Sequence, residues 1–113
     1  MDCIFCQIAS GKIPSDIVYQ DKEIVAFRDI NPKAPVHILI IPKKHIASLN
    51  QLSQSDTALM GRMVAVASRL AKDEGVAEKG YRLTINCGKE GGQLVPHLHM
   101  HLLGGRQLSD ALC

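Results

Sequence analysis

The chain has 113 residues, enough for one domain with one hydrophobic core. A net charge of +2 without a Lys/Arg-rich stripe argues against a nucleic-acid partner. The longest apolar run, residues 36–42, is far shorter than the ~20 residues of a membrane span, so no membrane partner is expected. The N-terminus lacks a secretory signal pattern, which predicts a cytoplasmic protein whose four cysteines stay reduced.

The first third of the chain predicts a short helix followed by a hairpin. Three apolar residues lie at helical spacing, Ile4, Phe5 and Ile8, and two helix-ending residues follow them, Gly11 and Pro14. Residues 17–19 and 23–28 are β-prone runs separated by three polar residues, which favours a hairpin. Residues 29–35 are rich in Asn and Pro and predict a loop. A strongly β-prone run over 36–41 follows, and Pro42 ends it.

One long helix is predicted over residues 53–74. Its N-cap is Ser53 or Ser55 and its C-cap is Gly75. The apolar residues assigned to one face of this helix are Leu59, Met60, Met63, Val64, Ala67, Leu70 and Ala71.

After the helix, residues 81–87 return to strand character and 88–93 predict a turn. The next stretch, PHLHMHLL at 96–103, alternates imidazole with large apolar side chains. Because a strand has a side-chain period of two, His97, His99 and His101 are predicted to share one face. Strands, one long helix and strands again predict an α+β domain with a mainly antiparallel sheet.

Three imidazoles on one strand face are compatible with two kinds of chemistry. Histidines two apart on a strand can ligate zinc. Alternatively, a neutral imidazole whose Nδ1–H is held by a carbonyl presents Nε2 as a nucleophile to phosphorus. A strand with incidental histidines is a third and less favoured interpretation. Spacing alone does not choose between the two reactive ones.

Two neighbouring features favour phosphate chemistry when taken together. The GGQ sequence at 91–93 supplies flexible backbone whose N–H groups can approach an anion. Asp29 directly follows a predicted strand, and its carboxylate can accept both hydroxyls of a ribose. Each feature alone is more typical of an ordinary turn.

With these motifs in place, the chain resembles a known family. PHLHMHLLGGR resembles the His-φ-His-φ-His-φ-φ motif of the histidine triad (HIT) superfamily. AFRDINPKAPVHILIIPKKHI is similar to the matching segment of its Hint branch, the purine nucleoside phosphoramidases. The resemblance implies a single HIT domain over 1–113, with about five mainly antiparallel strands, a long helix and a short N-terminal helix. It also implies a hydrolase or transferase of purine nucleoside phosphoramidates or acyl-nucleotides, such as AMP or GMP conjugates, without an organic cofactor.

The resemblance assigns a role to each matching residue. His99 would attack the α-phosphorus and form a nucleotidyl-histidine, while the carbonyl of His97 fixes its tautomer and His101 and His37 complete the network. Asp29 would hold the ribose hydroxyls. The remaining nucleotide-binding residues would be Ile4, Phe5, Ile8 and Ile30 around the base and Asn86, Gly92, Gln93 and Leu94 around the phosphate. A homodimer is implied, with the long helix and residues 79–86 at its interface.

The chain departs from many Hint proteins at two places. Leu94 replaces a serine whose hydroxyl would contact the phosphate or assist the departing amine, and the tail lacks a Trp-containing end. The C-x-x-C pair Cys3 and Cys6 is weak evidence for zinc by itself. Bacterial HIT proteins are similar in joining such cysteines to two histidines, here His45 and His97, which implies a structural Cys₂His₂ zinc site.

Two alternatives to the nucleotidyl-histidine enzyme follow from the same residues. One is a zinc hydrolase in which the triad itself binds the metal. The other is a nucleotide-binding module with little catalysis, which the missing hydroxyl at Leu94 favours. The preference for adenine or guanine and the natural leaving group stay open, and Cys113 has no assigned role.

Overall fold

The computed structural model describes residues 3–111. Cys113 therefore lies outside the described residues. The helices and strands are α1 (Ile4–Ala9), β1 (Ile17–Gln20), β2 (Ile24–Arg28), β3 (Val36–Pro42), α2 (Thr57–Asp73), β4 (Tyr81–Ile85) and β5 (Met100–Gly104). Two 3₁₀ turns, Leu49–Gln51 and Gln54–Asp56, precede α2.

All five strands form one antiparallel sheet in the order β1-β2-β3-β5-β4. The β1–β2 turn is held by Asp21, whose carboxylate accepts from the backbone N–H groups of Glu23 and Ile24, both at 2.8 Å. β3 lies at the centre and is buried along its whole length. The α+β architecture predicted from the sequence, with one long and one short helix, is confirmed.

The two helices cover opposite faces of the sheet, so side chains alternate between two apolar layers. The layer under α2 is the larger one. It contains Ile24, Ile38, Ile40, Met100 and Leu102 from the sheet and Leu59, Met63, Ala67, Leu70 and Ala71 from the helix. The layer under α1 contains Phe5, Ile8, Val25, Phe27, Leu39 and Ile41. Because His37 and His101 alternate with residues of the larger layer, they lie on the α1 face.

The long helix departs slightly from its prediction. Ser53 begins a 3₁₀ turn and forms a capping box with Asp56, and the α-helix starts one turn later at Thr57. The helix ends at Glu74 as its C-cap, followed by Gly75 in the left-handed conformation with φ 76°. Val64 was assigned to the buried face but is 48% exposed.

The histidine strand begins later than its alternation predicted. His97 and Leu98 bend away from the ladder, since the N–H of Leu98 donates to the carbonyl of Ile46 (2.6 Å) and that of His97 to Val95 (2.8 Å). Regular pairing starts only at Met100. The prediction of a strand from His97 onward was therefore wrong for its first three residues. Similarly, β4 ends at Ile85, two residues before the predicted end.

Candidate active site and metal centre

The triad residues lie on the α1 face, where the central strands β3 and β5 pair. Leu39 of β3 is opposite His101 of β5, which places His37 diagonally across from His101. The rings of His37 and His101 are 5.2 Å apart, and those of His99 and His101 are 5.0 Å apart. Three of the four predicted catalytic rings therefore form a contiguous group.

His99 is held by its own backbone. Its Nδ1 is 2.7 Å from the carbonyl oxygen of His97 in a buried contact. Since a carbonyl only accepts, we assign the proton of neutral His99 to Nδ1, which leaves the lone pair on Nε2. The edge of Phe5 packs against the His99 ring at 5.0 Å between centroids. His99 is thus a buried imidazole with a defined tautomer and a free acceptor nitrogen.

A chain of hydrogen bonds fixes the other two rings. The backbone N–H of Lys33 donates to Nδ1 of His37 at 3.0 Å. Neutral His37 must then carry its proton on Nε2, which is 2.9 Å from Nδ1 of His101 and donates to it. His101 consequently bears its proton on Nε2. The chain therefore ends in an N–H donor next to the nucleophilic ring of His99.

Burial keeps these two rings neutral. It lowers the pKa of His37, although the nearby Asp29 carboxylate opposes the shift. Burial, followed by the neighbouring rings of His99 and His37, lowers the pKa of His101 to about 4. Both groups therefore stay uncharged at neutral pH, as the hydrogen-bond chain requires.

Asp29 follows β2 and faces the same group. Its Oδ2 lies 3.4 Å from Nε2 of His37, and its Oδ1 accepts from the N–H of Asn31 at 2.8 Å. The side chain keeps 20% of its surface exposed. The carboxylate is therefore oriented by its own loop while still open to a ligand.

The predicted phosphate loop is held by Gln93. Its side-chain oxygen accepts from the N–H of Gly88 (2.9 Å), and its amide donates to the carbonyls of Ala47 (2.7 Å) and Val95 (2.9 Å). Gly91 has no room for a side chain, since a Cβ there would overlap the carbonyl oxygen of Cys87. The Gln93 side chain thus fixes the loop.

Asn86 lies against the same turn. A Cβ on Gly92, whose φ is 83°, would lie 3.4 Å from Nδ2 of Asn86. Leu94 follows the loop and is 92% exposed.

The residues predicted to contact a base divide by exposure. Phe5 and Ile8 are buried, and Phe5 also packs on Phe27 with 5.5 Å between ring centroids. Ile4 is 47% exposed and Ile30 is 88% exposed. The buried pair forms an apolar floor, and the exposed pair is available to a ligand.

A second cluster lies at the start of α1 and joins the four predicted metal ligands. Nδ1 of His97 is 3.3 Å from Sγ of Cys3 and 3.5 Å from Sγ of Cys6. Nδ1 of His45 is 3.2 Å from Sγ of Cys6. One ligand atom from each of the four residues lies within 4.8 Å of the others. This Cys₂His₂ cluster could hold a metal ion.

The donor atoms fit zinc. Bond lengths of ~2.3 Å to sulfur and ~2.0 Å to nitrogen in a tetrahedron separate the ligand atoms by roughly 3.3–3.8 Å, close to the separations in this cluster. Nε2 of buried His97 lies 2.8 Å from the carbonyl oxygen of Pro42 and donates to it. Its lone pair is therefore on Nδ1, which faces the thiols. Burial raises the pKa of the Cys6 thiol, and a bound cation would offset that cost.

The tautomers argue against a metal at a second group of potential ligands, Asp29, His37 and His101. The nitrogen of His37 that faces this group is Nε2, and it carries the proton because Nδ1 accepts from Lys33. A metal could bind there only after that proton is lost. The tautomers therefore favour zinc at the cysteine cluster and oppose it at the triad.

Two elements of this geometry were not predicted from the sequence. The N–H of Lys33 and the carbonyl of Pro42 each set the tautomer of a histidine. Both are backbone groups, so the residue types at these positions gave no signal of their role. The only available hint was their position, with Lys33 in the loop before His37 and Pro42 at the end of β3.

These features define a histidine triad protein. The HIT domain model matches residues 10–108, so the chain belongs to the HIT domain family.

Its relatives cover nearly the whole chain. A purine nucleoside phosphoramidase of Escherichia coli K12 is 53% identical over 111 residues, which are 98% of this chain and 93% of that protein. A HIT family hydrolase from Legionella pneumophila Philadelphia 1 is also 53% identical, with a TM-score of 0.94 and 96% of each chain covered. A Zn-bound histidine triad family protein from Mycobacterium smegmatis is 32% identical, with a TM-score of 0.81 over 100% of this chain and 81% of that one.

The predicted HIT fold is thus confirmed. Among residues 3–111, no helix is long and apolar enough to cross a membrane.

Proposed function

We propose that this protein is a hydrolase or transferase of purine nucleoside phosphoramidates or acyl-nucleotides that works through a nucleotidyl-histidine on His99. The 53% identical E. coli purine nucleoside phosphoramidase supports the substrate class. The observation that carries the mechanism is the contact of 2.7 Å between Nδ1 of His99 and the carbonyl of His97, because it leaves Nε2 as a nucleophile.

In the first step Nε2 of His99 forms a bond to the α-phosphorus, and the bond from phosphorus to the leaving group breaks. His99 keeps its Nδ1–H, so the phosphorylated ring is positively charged and the carbonyl of His97 stabilises it. His101 donates a hydrogen bond from its Nε2–H to the phosphoryl oxygens and keeps that proton, while a departing amine takes a proton from water and a departing acyl group leaves as a carboxylate. Water then attacks phosphorus and loses a proton to solvent, the bond from phosphorus to Nε2 of His99 breaks, and the nucleotide is released.

The binding roles follow from the positions of the polar and apolar side chains around His99. Asp29 accepts the ribose hydroxyls, and Phe5 and Ile8 form the floor under the base, with Ile4 and Ile30 beside it. Asn86, Gly92, the backbone at Leu94 and the Gln93 loop surround the phosphate. The apolar floor contacts adenine and guanine alike, so either base is accommodated.

The structural part of the proposal concerns the metal and the assembly. Residues 1–113 form one HIT domain, and a structural zinc ion is held by Cys3, Cys6, His45 and His97. Two chains form a homodimer through α2 and the strand region 79–86. Support for the dimer comes from the position of β4 at the edge of the sheet and from Val64, which is 48% exposed on α2.

The test is the detection of the intermediate on a fluorogenic adenosine phosphoramidate. Enzyme quenched in base during turnover should carry a nucleotidyl adduct on the peptide that contains His99, since the P–N bond to histidine is labile in acid. His99→Gln should lose both the adduct and the activity. His101→Gln keeps the nucleophile and should lower the rate by about 10²–10⁴-fold. Retained turnover in His99→Gln would reject the mechanism.

A nucleotide-binding module with little catalysis is the second candidate, and one observation favours it. Leu94 is 92% exposed beside the phosphate loop and offers no side-chain donor to a leaving group. Under this alternative, calorimetry detects nucleoside monophosphate binding while Leu94→Ser raises turnover strongly. If wild-type turnover is substantial and Leu94→Ser changes it little, the binding-only alternative fails.

Metal chelation distinguishes the proposed His99 enzyme from a zinc hydrolase with its metal at the triad. Metal removal should leave the His99 adduct detectable wherever circular dichroism shows that the fold is retained, whereas a hydrolase with metal at the triad would lose all activity.

A further inference from the structure

Both backbone groups of Lys33, its N–H and its carbonyl, form hydrogen bonds. Its N–H donates to Nδ1 of buried His37 at 3.0 Å, and its carbonyl accepts from Nη2 of Arg106 at 2.7 Å. Arg106 lies two residues beyond the end of β5. The segment that follows the histidine strand is therefore bonded directly to the loop that contacts His37.

Packing supports this contact. Gly105 has φ 94°, and a Cβ there would lie 2.9 Å from Cβ of Pro35 and 3.5 Å from the backbone nitrogen of Val36. The backbone of Gly105 thus approaches the loop more closely than another residue would allow. Arg106 also donates from Nη1 to the carbonyl of Gln107 at 3.1 Å, which restricts its guanidinium.

The N–H of Lys33 matters because His37 can carry its proton on either nitrogen. With the Lys33 donor on Nδ1, only the Nε2–H form makes both hydrogen bonds, to Lys33 and to His101. Without that donor, the Nδ1–H form of His37 becomes accessible. His101 would then receive no proton at Nδ1 and would no longer be confined to its Nε2–H form.

We propose that Arg106 is a positioning residue for the hydrogen-bond donor of the active site, the Nε2–H of His101. By holding the carbonyl of Lys33, Arg106 keeps the Lys33 amide on His37 and thereby keeps the proton of His101 on Nε2. The effect on turnover rests on the function proposed above, whereas the effect on the tautomers does not.

The tautomers of the wild-type protein are the first test. A long-range ¹H–¹⁵N spectrum at pH 7.5 should show protons on Nε2 of His37 and His101 and on Nδ1 of His99. A proton on Nδ1 of His37 would overturn the proposal, without any substitution.

The second test is Arg106→Ala, with Arg69→Ala as an exposed arginine control that leaves the site intact. Arg106→Ala should give a mixture of His37 tautomers and lower kcat about 3- to 10-fold while KM changes less than about twofold. Arg106→Lys, which keeps a cationic donor, should restore part of the kcat and part of the wild-type His37 tautomer. A His37 spectrum unchanged by Arg106→Ala would overturn the positioning role.

The third test removes the donor itself. Lys33→Pro has no N–H, whereas Lys33→Ala loses the side chain and keeps the N–H. Lys33→Pro should show mixed His37 tautomers and a larger loss of kcat, about 10- to 100-fold, and Lys33→Ala should keep the wild-type tautomers. Wild-type tautomers in a folded Lys33→Pro would contradict the proposal. If wild type lacks phosphoramidate turnover but shows the expected tautomers, the proposed function fails and the positioning role stands.

Discussion

Lowering the pH should destabilise this protein in part through His101, and His101→Gln should remove that part of the acid sensitivity. Burial and the adjacent imidazoles lower the pKa of folded His101 to about 4, from 6.5 when it is free in solution. Between these values the unfolded chain binds a proton that the folded chain does not, so stability falls as the pH falls. Glutamine suits the test because its side-chain oxygen can accept the Nε2–H of His37 and it does not titrate.

The size of the effect follows from the two pKa values. Linkage gives a loss for wild type, relative to the variant, of about 2 kcal/mol at pH 5 and about 3 kcal/mol at pH 4. Almost none of this loss is present at pH 7. His37 and His97 also have lowered pKa values, but both are present in the two proteins and their contributions cancel to first order.

The assay is urea unfolding of wild type and His101→Gln, followed by far-UV circular dichroism from pH 7.5 to pH 4. The chain contains no tryptophan, so tryptophan fluorescence cannot follow the unfolding. Both proteins carry the same cysteine cluster, and metal loss in acid therefore affects them alike. The stability difference should widen in favour of the variant below pH 6.5. A difference that stays constant across the range would refute the depressed pKa and the neutral hydrogen-bond chain built on it.

Three further substitutions test the metal, ribose and phosphate-loop assignments. Cys3→Ser should lower the zinc content from about one ion per chain, measured by elemental analysis of protein purified without added metal, and an undiminished content would count against the site. Asp29→Ala should weaken nucleoside monophosphate binding at least about tenfold, because bonds to a charged group contribute roughly 1.5–3 kcal/mol each; unchanged affinity by calorimetry would reject the ribose role. Gly91→Ala should cost about 1–3 kcal/mol in chemical denaturation, since its Cβ would overlap the carbonyl of Cys87, and an unchanged midpoint would show that the turn can relax.

The fold was largely predictable because most of its helices and strands have a clear sequence pattern. β-prone runs, the alternation at 96–103 and the helical spacing of apolar residues indicated all five strands and both α-helices, although not the two 3₁₀ turns. Val64 was misplaced because it lies one turn after Met60, which is only half-buried at the edge of the same face. An apolar residue at the edge of a helical stripe gives the same sequence pattern whether it is covered or exposed.

The residue types of the site were predictable from the sequence, but the division of the histidines between the metal cluster and the triad was not. Alternation predicts three rings on one face, and Phe5 does contact both His97 and His99 from the α1 side. The ring of His97, however, belongs to the cysteine cluster, while His99 and His101 belong to the triad. Sequence periodicity does not predict this division, because the division depends on a local bend and on hydrogen bonds to backbone atoms of distant residues, such as Pro42.

That bend explains how one short stretch can serve two sites. In a regular strand the carbonyl of His97 would point sideways along the ladder and bond to a neighbouring strand. Because residues 97–99 leave the ladder, this carbonyl is free to accept from Nδ1 of His99 at 2.7 Å. The His97 ring meanwhile donates to Pro42 and turns Nδ1 toward the thiols. A metal bound there would fix the ring of the residue whose carbonyl sets the tautomer of His99, so metal loss should loosen His99 although the cluster side chains have no proposed contact with the nucleotide.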